Sequence, residues 1–248
     1  MQPTPLRLLF CLLSMLMLLG PAAAQANISA LYQASGMAQH QKHFQAALAS
    51  AQQRYGQQLP AALRETLVRN SSQRFALAGM HDRAQARLAL ELDEQQMQQA
   101  LSFFTGSLGS RIVSAETTAS SPASVASLQQ GLPVMELSAE RRALIERLAG
   151  QLPALEMGVE VSTALTGLAA QSANDLLGGL MTLPQQAGTS GRERLRQQMR
   201  PNLPNTLAYI YREFNDDELT RFAEWAESDS GQAFYRASEQ AVRDALNP

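Results

Sequence analysis

Thiols are almost absent from this chain: among its 248 residues only Cys11 carries one. Cys11 follows Phe10 near the start of an apolar run, whereas a lipid-modified cysteine would stand at the run's end, behind small residues. The rest of the chain is thereby denied disulfides, cysteine-based zinc sites and a cysteine nucleophile. Histidine is limited to His40, His43 and His81, and no His-Glu-x-x-His pattern occurs. A metal centre needs three or four converging ligands, so none is expected, and His40 and His43 read as one solvated helix face. Gly-x-Ser-x-Gly, Ser-x-x-Lys, P-loop and dinucleotide fingerprints are also missing. No stretch sustains the alternation of apolar and polar residues that marks strands.

The N-terminus supplies the first positive signal. Arg7 precedes an apolar run from Leu8 to Leu19, then Gly20-Pro21 and Ala22-Ala23-Ala24. That order fits a secretory signal peptide cleaved after Ala24. The competing reading, an uncleaved anchor, is disfavoured because 12 apolar residues fall short of the roughly 20 that span a bilayer. Without a twin arginine, the general secretory route is expected. Cleavage leaves 224 residues and moves the formal charge from −2 to −3, so nothing draws nucleic acid globally. A chain of this length buries roughly 70% of its unfolded surface, enough to stand without disulfides. Lys42 is the sole lysine, against 18 arginines in the mature chain and heavy Ala, Leu and Gln usage. With the signal, that bias points to a GC-rich Gram-negative bacterium and a periplasmic location.

The mature sequence reads as all-α. Helices are expected from Ile28 to Tyr55 with a break near Gly36, from Ala61 to Ala78 and from Arg83 to Leu90, and the first copy of a repeat follows from Asp93 to Glu116. Residues 118–137, interrupted by Pro122 and Pro133, read as a connector between an N-terminal half (25–117) and a C-terminal half (138–248). Ser138 is the expected N-cap of the next helix. The stretch from Pro153 to Met181, rich in small residues, reads as one long core helix, too charged at Glu156, Glu160 and Asp175 for a membrane. Ser190 and Glu193 fit a capping box, and Pro201 and Pro204 interrupt the helix that follows.

One pattern occurs twice at a constant offset of 122. Asp93 and Gln96 match Asn215 and Glu218, each an N-cap with its reciprocal N3 partner. Met97, Ala100, Leu101 and Phe104 match Leu219, Phe222, Ala223 and Ala226, an apolar face at helical spacing, and Phe103 matches Trp225. Gly106-Ser107 and Ser228-Asp229 then break the helix. Gly109 and Gly231 follow at equivalent places, where a missing Cβ lets the preceding helix approach. Ile112, Val113 and Ala115 match Phe234, Tyr235 and Ala237. The unit is a helical hairpin with a tight corner, and Phe103, Phe104, Gly109, Trp225, Ser228 and Gly231 form that corner. A fainter match sets "SALYQASGM" against "ALIERLAGQ", extending the duplication towards both halves.

The corner sequences "FFTGSLGS" and "WAESDSGQ" resemble the Phe-Tyr-x-Ser-Pro-x-Gly-Gln corner of an exported bacterial family, the domain-of-unknown-function family numbered twenty fifty-nine. The resemblance covers roughly Ala61 to Glu116 and Thr189 to Gln240. The first copy departs with Gly106 and Ser110, the second with Ala226 and Asp229. It implies an α-helical periplasmic fold and brings no assigned activity or catalytic residues.

The remaining candidates read mostly as structure. "ESDSGQ" resembles the nucleophile loop of trypsin-like proteases, but those enzymes are β-barrels that need a histidine and a buried aspartate beside the serine, so Ser230 is not expected to catalyse. Asp216, Asp217 and Glu218 begin a helix, where negative charge complements the dipole, and Glu224 and Glu227 follow on it. Arg192, Arg196 and Arg200 share one helical stripe beside Leu195 and Met199. They are the candidate site for a phosphate, carboxylate or lipid head group, against a solvated flank whose stems cover apolar surface. The sequence thus predicts two pseudo-repeated helical halves after a signal peptide. It predicts a non-catalytic module, without cofactor, metal or mature transmembrane span, that binds an envelope protein or small ligand. The alternatives are a hydrolase built from scattered Asp, Glu and Arg, and peripheral membrane association through the arginine stripe.

Overall fold

Gly36 makes the first turn, because its backbone is left-handed (φ +78°) and it lies against Val113 and Thr117. It separates α1 (Gly20–Ala34) from α2 (Met37–Gly56). The computed structural model describes residues 20–128, 131–168 and 189–247, and every regular element within them is helical. Arg7, Cys11, the Leu8–Leu19 run and the later part of the expected long helix, with Asp175, lie outside the described residues.

The next boundary differs from expectation. Helices α3 (Ala61–Arg74) and α4 (Leu77–Glu91) meet at Phe75-Ala76, inside what the periodicity reads as one helix to Ala78. Neither glycine nor proline marks this bend. The buried Phe75 ring packs edge-on against Phe44 at 5.3 Å, and the Gln45 side-chain amide donates to the Phe75 carbonyl at 2.6 Å. Tertiary contacts thus outweigh local helical preference.

Helices α5 (Glu94–Thr105) and α6 (Ser107–Ala119) are followed by a short α7 (Pro122–Leu128), so the expected connector holds a helix of its own. Residues 131–138 run without regular structure and are tied down by Asn205. Its side chain donates to the Pro133 carbonyl (3.0 Å) and accepts from the Met135 amide (2.9 Å). Ser138 caps α8 (Ala139–Gln151) by accepting from the Arg141 amide. Helix α9 (Ala154–Thr166) buries Val159, Glu160 and Thr163, so it is less apolar than a core helix was expected to be. In α10 (Thr189–Met199), Ser190 is already helical, and the Glu193 carboxylate meets Arg196 and Gln197 instead of turning back to a cap. The predicted capping box there does not form. A 3₁₀ turn (Arg200–Asn202) carrying Pro201 leads into α11 (Leu203–Ile210), whose first turn holds Pro204, a position without need of an amide donor. Helices α12 (Asp216–Glu227) and α13 (Asp229–Leu246) close the chain.

Both capping boxes of the repeated pattern are present. The Asp93 and Asn215 side chains accept from the amides of Gln96 and Glu218, whose side chains accept in return from the cap amides. Gly106 and Ser228 are the corner residues; Ser228 Oγ accepts from the Gly231 amide, and Gly106 has no side chain with which to do so. A Cβ on Gly109 would stand 2.1 Å from the Phe103 carbonyl oxygen, and one on Gly231 would stand 2.0 Å from that of Trp225.

Two apolar clusters result. One gathers α1 to α5 around the inner face of α13; the other gathers α8, α11 and α12 around Ile112 of α6. Each hairpin therefore places its first helix in one cluster and its second in the other. Phe103, Trp225 and Tyr235 border both. The Phe103 and Trp225 rings lie face to face, 3.8 Å between centroids and 4° from parallel.

Because the obstacle at Gly231 is main chain and cannot rotate away, Gly231→Val should cost about 1–3 kcal/mol by overpacking. Gly109→Val should behave alike. Chemical denaturation followed by tryptophan fluorescence checks this, and an unchanged midpoint would show that the corners open freely.

Candidate functional site

The arginine stripe is already occupied by the protein's own carboxylates. On α10, Arg196 grips Glu156 of α9 through two hydrogen bonds (2.7 and 2.6 Å) and also pairs with Glu193. Arg192 donates to Glu160 at 3.0 Å. Glu160 is only 5% exposed and also receives Arg243 of α13 at 3.2 Å. Arg200 adds positive charge near Glu156, whose carboxyl is held below its ordinary range chiefly by the Arg196 hydrogen bonds. Arg192 and Arg196, two of the three arginines of the candidate anion-binding stripe, are thus paired with carboxylates of the chain itself.

Three acidic residues of α12 are likewise engaged. Asp216 accepts from Arg141 at 2.6 Å, Glu218 pairs with Arg111, and Glu227 takes a bidentate contact from Arg147 of α8. Asp217 lies in the first helical turn and Glu224 contributes its charge beside Arg147. These groups fasten α12 to its neighbours. Ser230 is buried and donates to Gln99 of α5 at 2.5 Å, joining the two hairpins. His81 packs edge-on against the buried ring of Tyr32 at 5.3 Å. His40 and His43 are not a merely solvated face: both rings reach Ser120, across from α2.

The structure brings together one group that the sequence hides. Glu116, within the plain-looking "SAETTAS", keeps part of its surface exposed, but its carboxyl end is enclosed and accepts from the Tyr211 hydroxyl at 2.6 Å. Burial raises the carboxyl from an ordinary 4.5 to about 7, with the Tyr211 hydrogen bond opposing. Tyr211 and Tyr235 are in turn pushed well up, mainly by burial and also by the Glu116 charge. No periodic signal marks such a group; only the packing of α6, α11 and α13 encloses it.

The second feature beyond sequence reach is a groove of about 590 Å³ between the unstructured stretch 131–138, α8 and the 3₁₀ turn. Leu132, Met135, Leu137 and Ile145 give it apolar walls, Pro201 and Pro204 form its far side, and Arg142 and Glu146 supply its charges. Val134, on the same lining, is 87% exposed. Such a volume suits a few side chains or a small ligand. With Glu146 its one carboxylate, the groove lacks the acidic pair of a typical glycoside hydrolase. Among the described residues, no group of three or more His, Cys, Asp or Glu gathers for a metal, and no helix is long and apolar enough to cross a membrane.

Comparison with family models, with curated proteins and with solved structures finds no match.

The Glu116 environment has a defined pH consequence. The folded state keeps a proton up to about pH 7 that the unfolded chain releases near 4.5, so the residue's contribution is full below pH 4.5 and is lost as pH rises through 7. Glu116→Gln keeps an acceptor for Tyr211 and removes the ionisation. The variant should match the parent at pH 4 and exceed it by about 1–3 kcal/mol at pH 8. Urea melts at both pH values check this; equal stabilities at pH 8 would show the carboxyl to be solvated.

Proposed function

We propose that this chain is an exported, non-catalytic binding module of the bacterial envelope, whose groove beside α8 receives an extended, apolar segment of a partner polypeptide. The observation that carries the reading is the wall of that groove. Residues 131–138 run without regular structure, Asn205 holds Pro133 and Met135 in place, and Val134 between them projects into solvent. Among the described residues, Val134 makes no main-chain hydrogen bond, so its amide and carbonyl are open to a second strand. An extended peptide meets both demands at once: its main chain pairs with the stretch and its alternate side chains enter the apolar walls.

Export and cleavage after Ala24 rest on the Arg7, Leu8–Leu19 and Ala22-Ala23-Ala24 pattern. After cleavage, α1 would begin at Gln25. The resemblance of the two corners to the family numbered twenty fifty-nine supports the same exported, helical reading. Descent of both halves from one duplicated hairpin is supported by the paired capping boxes, the paired glycines and the mutual stacking of Phe103 and Trp225.

The test is selection of random heptapeptides displayed on phage against the mature protein and against Val134→Asp, which alters an exposed position. Enriched peptides should alternate apolar residues and should bind the variant at least tenfold more weakly. Failure to enrich such peptides, or equal binding to Val134→Asp, would overturn the assignment.

A further inference from the structure

Helix α8 puts its charges to two different uses. Arg141 and Arg147 turn towards α12: Arg141 pairs with Asp216 and also donates to the Tyr211 and Phe214 carbonyls, while Arg147 takes Glu227 in a bidentate contact. Arg142 and Glu146 line the groove instead, and both are exposed. Among the described residues, neither side chain has a hydrogen-bond or ion-pair partner. Their spacing, i and i+4 on one helix, brings them within reach of each other. Arginine before glutamate is the weaker order for such a pair, and the contact is not made. The buried Ile145 between them belongs to the apolar wall.

We propose that Arg142 and Glu146 select the charges of the groove's occupant: a partner segment that is apolar at alternate positions and carries one acidic and one basic side chain two residues apart. This assignment rests on the groove receiving an extended segment and names the chemistry of that segment. Spacing supports it. Four residues of helix rise about 6 Å, and two residues of extended chain advance about 6.6 Å, so side chains i and i+2 of a segment laid along α8 keep step with Arg142 and Glu146. Residues i−1, i+1 and i+3 leave the opposite face of the segment and are free to enter among Leu132, Met135, Leu137 and Ile145. Charge complementarity fixes the signs. A like-charged pair attracts one groove residue and repels the other, whereas a mixed pair satisfies both. Exposed ion pairs add little affinity each, so the effect is discrimination between segments rather than tight binding.

The experiment measures, by fluorescence anisotropy at low salt, the binding of three dye-labelled, end-blocked peptides: Leu-Glu-Leu-Lys-Leu and its analogues with Glu, or with Lys, at both charged positions. The mature protein should hold the mixed peptide about fivefold more tightly than either analogue, the size expected when one exposed attraction becomes a repulsion. Glu146→Lys should turn the preference to the two-Glu peptide, and Arg142→Glu should turn it to the two-Lys peptide. Both substitutions are at exposed positions, and circular dichroism checks that the fold is kept. Val134→Ser, which removes exposed apolar surface without adding charge, should weaken all three peptides alike. If Val134→Ser weakens binding but the peptides rank the same in the parent and both charge variants, the charge assignment is overturned and the groove stands. If no peptide binds, or if binding ignores Val134→Ser, both are overturned.

Discussion

The face-to-face contact of Phe103 with Trp225 sets how closely the two helical corners approach, and the rest of the packing follows from that distance. A parallel stack at 3.8 Å is not the arrangement aromatic quadrupoles favour on their own. It is held by edge-on contacts of Phe104 and Tyr235 with Trp225, at 5.1 and 5.4 Å, and by the backbone of the corners themselves. Those corners close only because Gly109 and Gly231 present no Cβ to the carbonyls of Phe103 and Trp225. The glycine and the aromatic are thus one device, and a second hairpin supplies the other half of the stack. Sending α6 into one cluster and α13 into the other makes each hairpin a strut shared by both cores.

Charge plays a different part at the periphery of this arrangement. Helix α10 buries no residue fully, and its hold on α9 combines the Met199 side chain over Gly158 with the Arg196–Glu156 and Arg192–Glu160 pairs. The Glu160 carboxylate is deep enough that removing either arginine partner leaves an exposed penalty inside the fold, the situation in which ion pairs matter most. The arginines that sequence periodicity gathers on one stripe are therefore counterions to α9, a role set by residues 32 to 40 positions away.

What could be read from the sequence was what is local in the chain. The capping boxes at Asp93 and Asn215, the Gly36 break, the Ser138 cap and the two corners all rest on interactions within a few residues. The bend at Phe75-Ala76 was not legible, since it depends on Phe44 and Gln45, about 30 residues earlier. The Ser190 capping box failed for the opposite reason: Glu193 found arginine a stronger partner than a backbone amide. Glu116, Ser120 and the groove escaped notice because their meaning lies in helices brought together over 70 to 95 residues, and no pattern in a short window encodes that.

The placement of the groove follows from the same division of labour. Where the hairpins pack, backbone groups are consumed by helices and side chains by the two clusters. The chain between the hairpins cannot continue a helix through Pro133, and the residue before a proline is itself biased towards extended backbone. Asn205 satisfies the groups on either side of Val134 and fixes the stretch without covering it. A segment anchored at two points has already given up much of its conformational freedom. The helices on either side supply the frame, and the break between them leaves Val134 exposed on the lining of the groove.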